Sequence, residues 1–392
     1  MAPLDENVGL RRIGPDDEPE IVDLSRGLEF DQASDLDNGM FSDSGSSHRT
    51  MSTIQSSEVA DYFQSIYGTT FPSDDNVPIL FPSGAEAKIA DILLHVIIRL
   101  CRGGKHVPDE VDEVLRKASM EPEGAEVKVL DMVTDSGIWV KEMAEIYPAA
   151  RFISLDNKPL IPHTPHPRIE FQVYDFQVGI MEPDDTFELV HVRRGVLITK
   201  DFNFMLREIH RVLKPKGFIV MTEIPFEKYE GIDIQIPLRS APYFAQSLKH
   251  AYKICLEEGV DLTAWQDMST RLDPTHPLWE NELIGTPSIA VSQEEGREMP
   301  HRRGFNNISL RQELLPIGAW HPDDSKKRLG VLTHQFALHQ MRSTVTPATE
   351  RLRTHLGEKQ TNEFFENLIQ ELTHMEKYQV YGFCYMWLAR KI

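Results

Sequence analysis

Cysteine is scarce in this 392-residue chain: only Cys101, Cys255 and Cys384 occur, with no CxxC spacing among them. That argues against a disulfide framework or a zinc site and suits a reducing compartment, so a cytoplasmic or nuclear protein is expected. Long apolar runs are missing too. The greasiest stretch, Ile92 to Leu100, is broken by His95 and Arg99 and falls well short of the roughly 20 residues a membrane span needs. No basic segment followed by an apolar one opens the chain, so neither an anchor nor a secretion signal is expected. Lys and Arg number 41 against 61 Asp and Glu, a formal net charge of -20, and no Lys/Arg-rich run is present. Direct binding to nucleic acid is therefore not expected. A GxSxG elbow and a GxxxxGK[ST] loop are both lacking, which counts against hydrolase and ATPase readings.

What is present divides by composition. Residues 1–55 are rich in Asp, Glu, Ser and Gly and poor in aromatics, and read as a disordered acidic tail. The tail serves as a solvated leader or docks a basic protein partner. Residues 56–122 read as a helical N-terminal extension. Its main helix follows Pro82-Ser83-Gly84, with Ser83 as cap, an apolar face of Ile89, Ile92, Leu93, Val96, Ile97 and Leu100, and a stop at Gly103-Gly104. A second helix is predicted over Asp109 to Ser119, followed by a Pro/Gly hinge at 121–125.

From residue 123 to 392 short apolar strands alternate with helices, the pattern of an α/β domain with a parallel sheet wound on both faces. Strands are predicted at Val127 to Val133, Arg151 to Asp156, Ile169 to Tyr174, Glu188 to Val192 and Phe218 to Glu223, with helices at Ile138 to Tyr147 and Phe202 to Leu213. Residues 225–325 are irregular around helical stretches at Pro242 to Glu258 and Asp261 to Arg271. An insertion there lies beside the carboxyl ends of the strands and is read as a lid over a substrate, or else as packing over a sheet edge. Helices at Ser325 to Met341 and Thr361 to Met375 precede an alternating aromatic segment, Tyr378 to Arg390, read as a terminal strand or a hairpin about Gly382.

Chemistry concentrates where the first strand turns into a helix, in VLDMVTDSGIW from Val129 to Trp139. Such a helix N-terminus presents free N–H groups to an anionic or polar cofactor. Asp156 closes the next strand, where a carboxylate can accept both hydroxyls of a ribose. Asp175 follows the third strand with Phe176 beside it, as an adenine contact or an ordinary loop cap. Leu213-Lys214-Pro215-Lys216-Gly217 leads into the strand ending at Glu223. Jointly these favour an S-adenosylmethionine fold over a nicotinamide one.

The stretches VLDMVTDSGIWVKEMAEIYPAARFISLDNKPLIP, FELVHVRR and FMLREIHRVLKPKGFIVMTE, with LPIGAWHPDDSKKRLG and YQVYGFCYMWLARK nearer the C-terminus, resemble the fungal LaeA-like methyltransferases over about residues 60 to 392. The resemblance implies a class I, Rossmann-like, seven-stranded sheet with S-adenosylmethionine as methyl donor. It implies a role in fungal secondary metabolism, as a pathway enzyme or a regulator. By motif position Asp131, Val133, Thr134 and Gly137 line the methionine end, Asp156 the ribose, Asp175 and Phe176 the adenine, and Arg193 helps shape the pocket. The chain departs from the family where glycines are replaced by Val133 and Asp135. Val adds bulk at the closest backbone approach, and the Asp carboxylate repels that of the ligand by about 1 kcal/mol at 4 Å in water.

The expected activity is methyl transfer to a small-molecule acceptor, chiefly at oxygen, and the rival is a catalytically inactive, methyltransferase-like regulatory protein. Methyl transfer needs mainly positioning, so no catalytic residue is required by the pattern. His191, Glu223, His276 and His301 are candidates, each also readable as structural. His163 and His166 share a Pro-rich turn, and His334 and His339 lie five apart on a helix, which does not put both on one face. No metal is assigned.

Overall fold

A computed structural model describes residues 54, 57–74, 76–78, 81–118, 126–160, 165–231, 236–279 and 304–392. The acidic leader apart from residue 54, the hinge at 121–125, His163, His301 and parts of the 225–325 insertion lie outside the described residues. All of the described residues belong to one unit, Ile54–Ile392.

After a short 3-10 turn at Val59–Tyr62 the extension carries a hairpin that the helical reading did not include: β1 (Phe63–Ile66) pairs antiparallel with β2 (Thr69–Pro72). Tyr67 and Gly68, both at positive φ, make the two-residue turn, a geometry that matches the twist of paired strands. β-branched and aromatic residues in Thr69-Thr70-Phe71 suit the pleat. Helix α1 (Ala85–Cys101) follows, with Gly84 and not Ser83 as its N-cap. The N–H of Ser83 donates instead to the Thr70 carbonyl at 2.8 Å. The buried face of α1 is turned from the expected one. It runs through Leu94, Ile97, Ile98 and Cys101 onto Leu315, Leu329, Cys384 and Met386, while Leu100 stays 47% exposed. Gly103 and Gly104, both at positive φ, end the helix as expected, and α2 (Asp109–Ala118) buries Val111 and Leu115.

The sheet is built from β3 (Val127–Met132), β4 (Ala150–Asp156), β5 (Ile169–Val173), β6 (Phe187–Arg193), β7 (Leu213–Glu223), β8 (Tyr229–Glu230), β9 (Ile236–Pro237), β10 (Phe305–Pro316) and β11 (Tyr381–Lys391). Across it the long strands run β5-β4-β3-β6-β7-β11, with β10 on the outer edge of β11. Strands β3 to β7 are mutually parallel, and β11 is antiparallel to both neighbours. These seven long strands, with helices on both faces, make the class I, Rossmann-like methyltransferase fold. Strands β8 and β9 add a short ladder at the start of β11.

Alternation along the strands sorts the core onto two faces. Val127, Val129, Phe152, Leu189 and Val220 pack with Trp139, Val140 and Met143 of α3 (Ile138–Ile146). Leu130, Met132, Val190, Val192, Ile219 and Met221 pack with Phe202, Leu206 and Ile209 of α4 (Phe202–Val212). Full burial of each large side chain contributes about 1.5–3 kcal/mol.

The later segments depart from the sequence reading. The insertion carries β10 as well as α5 (Pro242–Glu257), and the expected helix at Asp261 to Arg271 reduces to α6 (Met268–Leu272). Helix α7 (Asp324–Leu356) runs on past Met341, through Pro347, and α8 (Glu358–Thr373) packs beside it. β11 is one continuous strand and not a hairpin. A Cβ at Gly382 would stand 3.0 Å from Lys228 Cδ, so this glycine serves close packing.

Candidate functional site

The loop from β3 to α3 keeps a glycine-type backbone. Val133, Asp135 and Gly137 have φ of 66°, 45° and 70°. The expected steric conflict at Val133 is thus met by holding a β-branched residue in the left-handed region, at a cost of order 1–3 kcal/mol. Its side chain is buried in the core beside Leu155 and Phe176, and its N–H donates to the Leu155 carbonyl at 2.8 Å, which anchors it there. The expected repulsion from Asp135 is also offset. Lys158 Nζ lies 3.2 Å from Asp135 Oδ1 and 3.2 Å from Asp156 Oδ1. Burial opposes ionisation of Asp135, but Lys158, Arg193 and Arg194 outweigh it and hold the carboxyl below its ordinary value.

Beneath the loop lies a buried polar chain. Thr134 Oγ1 is 2.8 Å from Ser154 Oγ, which donates to Asp131 Oδ2 at 3.1 Å, and His191 Nδ1 is 2.9 Å from Asp131 Oδ1. The His191 ring stacks on Trp139 at 3.7 Å between centroids. Burial pushes Asp131 up to about 8 against the pull of Arg193, and desolvation drives His191 well below its ordinary value. Asp131 is thus engaged from below the loop by Ser154 and His191, and His191 by Asp131 and Trp139.

At the neighbouring strand ends, Asp156 Oδ2 accepts the Asp135 N–H at 3.0 Å. Asp175 caps its own turn, accepting Gln177 N–H at 2.8 Å and Asn76 Nδ2 at 2.6 Å, while Phe176 is 5% exposed and sits in the core. The fold brings Asp131, Val133, Thr134, Gly137, Asp156 and Arg193 together at the carboxyl ends of β3, β4 and β6. Asp175 and Phe176 stand just past β5, one strand further. Glu223 holds the turn after β6 by accepting the Val196 N–H at 3.1 Å, and burial pushes it up to about 8. His276 caps its own turn at Leu278.

Sequence reasoning missed Asp91. It projects from α1 onto the loop, accepts the Ser136 N–H at 3.1 Å and the Ser136 hydroxyl, and lies 3.3 Å from Arg193 Nη2. Its signal was a carboxylate on an otherwise apolar helix face. Arg193 is 4% exposed, and neither Nη1 nor Nη2 has a hydrogen-bond acceptor among the described residues. Also missed, being scattered in sequence, is a cluster of His95, His106 and Glu142 whose ligand atoms lie within 4.8 Å of one another. Glu142 Oε2 already receives Arg99 at 3.2 Å, so the cluster reads as a polar junction tying α1 to α3.

Beyond the loop opens a cavity of about 480 Å³ whose lining is mostly apolar, with Phe81, Phe244, Phe336 and Phe364 among the walls and Arg194, Leu197 and Ile224 at the strand ends. Its size suits a small organic ligand. Helices α5, α7 and α8 supply much of the wall, so the insertion covers the sheet's carboxyl edge together with the C-terminal helices. No helix among the described residues is long and apolar enough to cross a membrane.

Residues 130–221 match the family model described as a methyltransferase domain. The chain is 27% identical over 129 residues to the "Secondary metabolism regulator laeA" of Coprinopsis cinerea, covering 32% of this chain and 31% of that one. It is 24% identical over 204 residues to the protein of that name in Aspergillus fumigatus, covering 52% and 46%. To "Methyltransferase pytC" of Aspergillus terreus it is 24% identical over 243 residues, covering 62% and 61%. The matches thus span about a third to three-fifths of these relatives. Among solved structures, the Haemonchus contortus phosphoethanolamine N-methyltransferase 2 complex with S-adenosylhomocysteine aligns at TM-score 0.38 and 12% identity, over 78% of this chain and 57% of that one. The chain carries a methyltransferase domain and is similar to the LaeA-named regulators and pytC-named methyltransferases of fungi.

Proposed function

We propose, proceeding from a methyltransferase domain, that this protein binds S-adenosylmethionine at the carboxyl ends of β3, β4 and β6 and methylates an oxygen of a small molecule in fungal secondary metabolism. The observation that carries the reading is the loop backbone: φ is positive at Val133, Asp135 and Gly137 alike. The loop thus keeps the backbone that glycines would give it, which supports a site still shaped for a ligand.

The side chains around the loop fit the donor. Arg193 offers a buried guanidinium with unused donors, suited to the carboxylate of the methionine end. Asp91 supplies an anion beside it for the ammonium. Asp156 is placed for the ribose hydroxyls once Lys158 turns from it toward Asp135, and Asp175 for the adenine amino group. When bound, the donor supplies an electrophilic methyl group whose leaving sulfur departs neutral. The chain's own task is then to align the acceptor oxygen and exclude water, and the apolar cavity beside Arg194 and Leu197 does both.

The rival reading, a regulatory protein without turnover, draws on Lys158, which occupies Asp156 in this structure. Incubation with S-adenosylmethionine carrying a tritiated methyl group, in the presence of an organic extract of a fungal culture, separates the two. Label in the organic phase supports the proposal. Label confined to protein overturns the small-molecule acceptor, and absence of transfer favours the regulator.

A further inference from the structure

The inside of the cavity differs in charge from the rest of the molecule. In a chain of formal net charge -20, its lining includes Arg194, Lys228, Lys253 and Arg351 but a single carboxylate, Glu257. Two of these cations are neutralised: Lys253 pairs with Glu257 at 3.6 Å and Arg351 with Glu258 at 3.5 Å. The other two are not. Lys228 Nζ donates to the carbonyls of Pro225 at 2.6 Å and Glu227 at 3.4 Å. Arg194 lies over the Phe81 ring at 4.4 Å and reaches Gln340 Oε1 only at 3.5 Å. Among the described residues no carboxylate is in ion-pair range of its guanidinium.

The acids nearest Arg194 are engaged elsewhere. Asp135 pairs with Lys158, Asp91 with Ser136 and Arg193, and Glu223 accepts the Val196 N–H. Arg194 follows the last residue of β6 at φ 55°, its N–H donating to the Thr222 carbonyl at 2.8 Å. This fixes the guanidinium's root at the crevice outside the sheet, where open α/β folds bind their ligands. A half-buried guanidinium that lines an apolar cavity, with no carboxylate in ion-pair range among the described residues, is a receptor for a planar anion.

We infer that the acceptor is a lipophilic organic acid, a carboxylic acid or acidic phenol, bound in its ionised form with its oxyanion on Arg194. The inference rests on the methyltransferase reading for its chemistry. An oxygen lone pair of the bound anion forms the new O–C bond as the methyl carbon's bond to sulfur breaks, and that electron pair returns to sulfur. Sulfonium and oxyanion become a neutral thioether and a neutral ester or ether. No proton moves in the transfer, so none of the residues lining the cavity has to act as a base. The product has lost the charge that held it, so its release is favoured.

The test uses the full chain saturated with S-adenosylhomocysteine, titrated calorimetrically with 2-naphthoic acid and with 2-naphthamide, which matches it in shape but is neutral. The acid is expected to bind about tenfold more tightly, a typical charge-assisted difference. Arg194→Met is expected to abolish that preference while leaving amide binding intact, which also reports that the variant folds, and Arg194→Lys to keep part of it. Equal affinities, no binding of the acid, or a preference that survives in Arg194→Met overturns the inference. The heat of S-adenosylhomocysteine binding is read separately. Its absence beside an intact acid preference would sink the methyltransferase reading and leave the cavity's selectivity standing.

Discussion

Gly137 caps α3 at φ 70°, and a Cβ there would stand 2.7 Å from Leu160 Cδ2. Gly137→Ala is expected to lower unfolding free energy by about 1–2 kcal/mol, seen as a reduced urea midpoint; an unchanged midpoint would mean the loop relaxes freely. Glu223 acts through pH. Its pKa is raised from 4.5 to about 8 by burial, so below pH 4.5 both states are protonated. Between there and pH 8 only the unfolded state releases the proton, and stability falls as pH rises, by at most about 1.4 kcal/mol per unit. Glu223→Gln keeps an acceptor for the Val196 N–H and removes this loss. Its melting temperature relative to the unaltered protein is therefore expected to climb from pH 5 to pH 8; a flat difference would show that Glu223 ionises normally. Asp131, raised with the same sign, is common to both proteins and cancels. At this scale the sequence made the conflicts at positions 133 and 135 visible but not their resolution. Lys158 as counterion and the anchoring of Val133 are contacts across the loop that no local pattern encodes.

Helix α1 is part of the site and not merely a cover, because Asp91 joins Ser136 of the loop to Arg193 of β6. Truncating it leaves a buried guanidinium without its ion-pair partner, so Asp91→Ala is expected to cost about 3 kcal/mol in chemical denaturation. A cost below about 0.5 kcal/mol, ordinary for a surface change, would show that the link carries nothing. The five parallel strands and their helices were legible because uniform apolar runs and turn residues mark them. The buried face of α1 was misplaced because the helix packs against both the sheet and α7, which widens its apolar stripe. Strand β10 was hidden for a related reason. It lies at the sheet edge with exposed positions such as Leu310, 46% accessible, so its pattern lacks the contrast that marks an interior strand.

Across the whole molecule, ligand binding and folding are linked. A donor that binds only the folded chain stabilises it by about 2.7 kcal/mol at a hundred times its dissociation constant. The cavity lining, with four Lys and Arg cations and one carboxylate, opposes the acidic balance of the chain as a whole, a contrast that composition cannot reveal, since the lining residues come together only in the fold. The catalytic reading stands or falls with the loop that has lost two glycines yet kept their backbone. Calorimetric titration of the full chain with S-adenosylmethionine tests this most directly. Micromolar binding, about -8 kcal/mol, weakened at least about tenfold in Arg193→Met, is the expected result. Absence of binding in the unaltered protein, with binding restored by Val133→Gly and Asp135→Gly together, would contradict it.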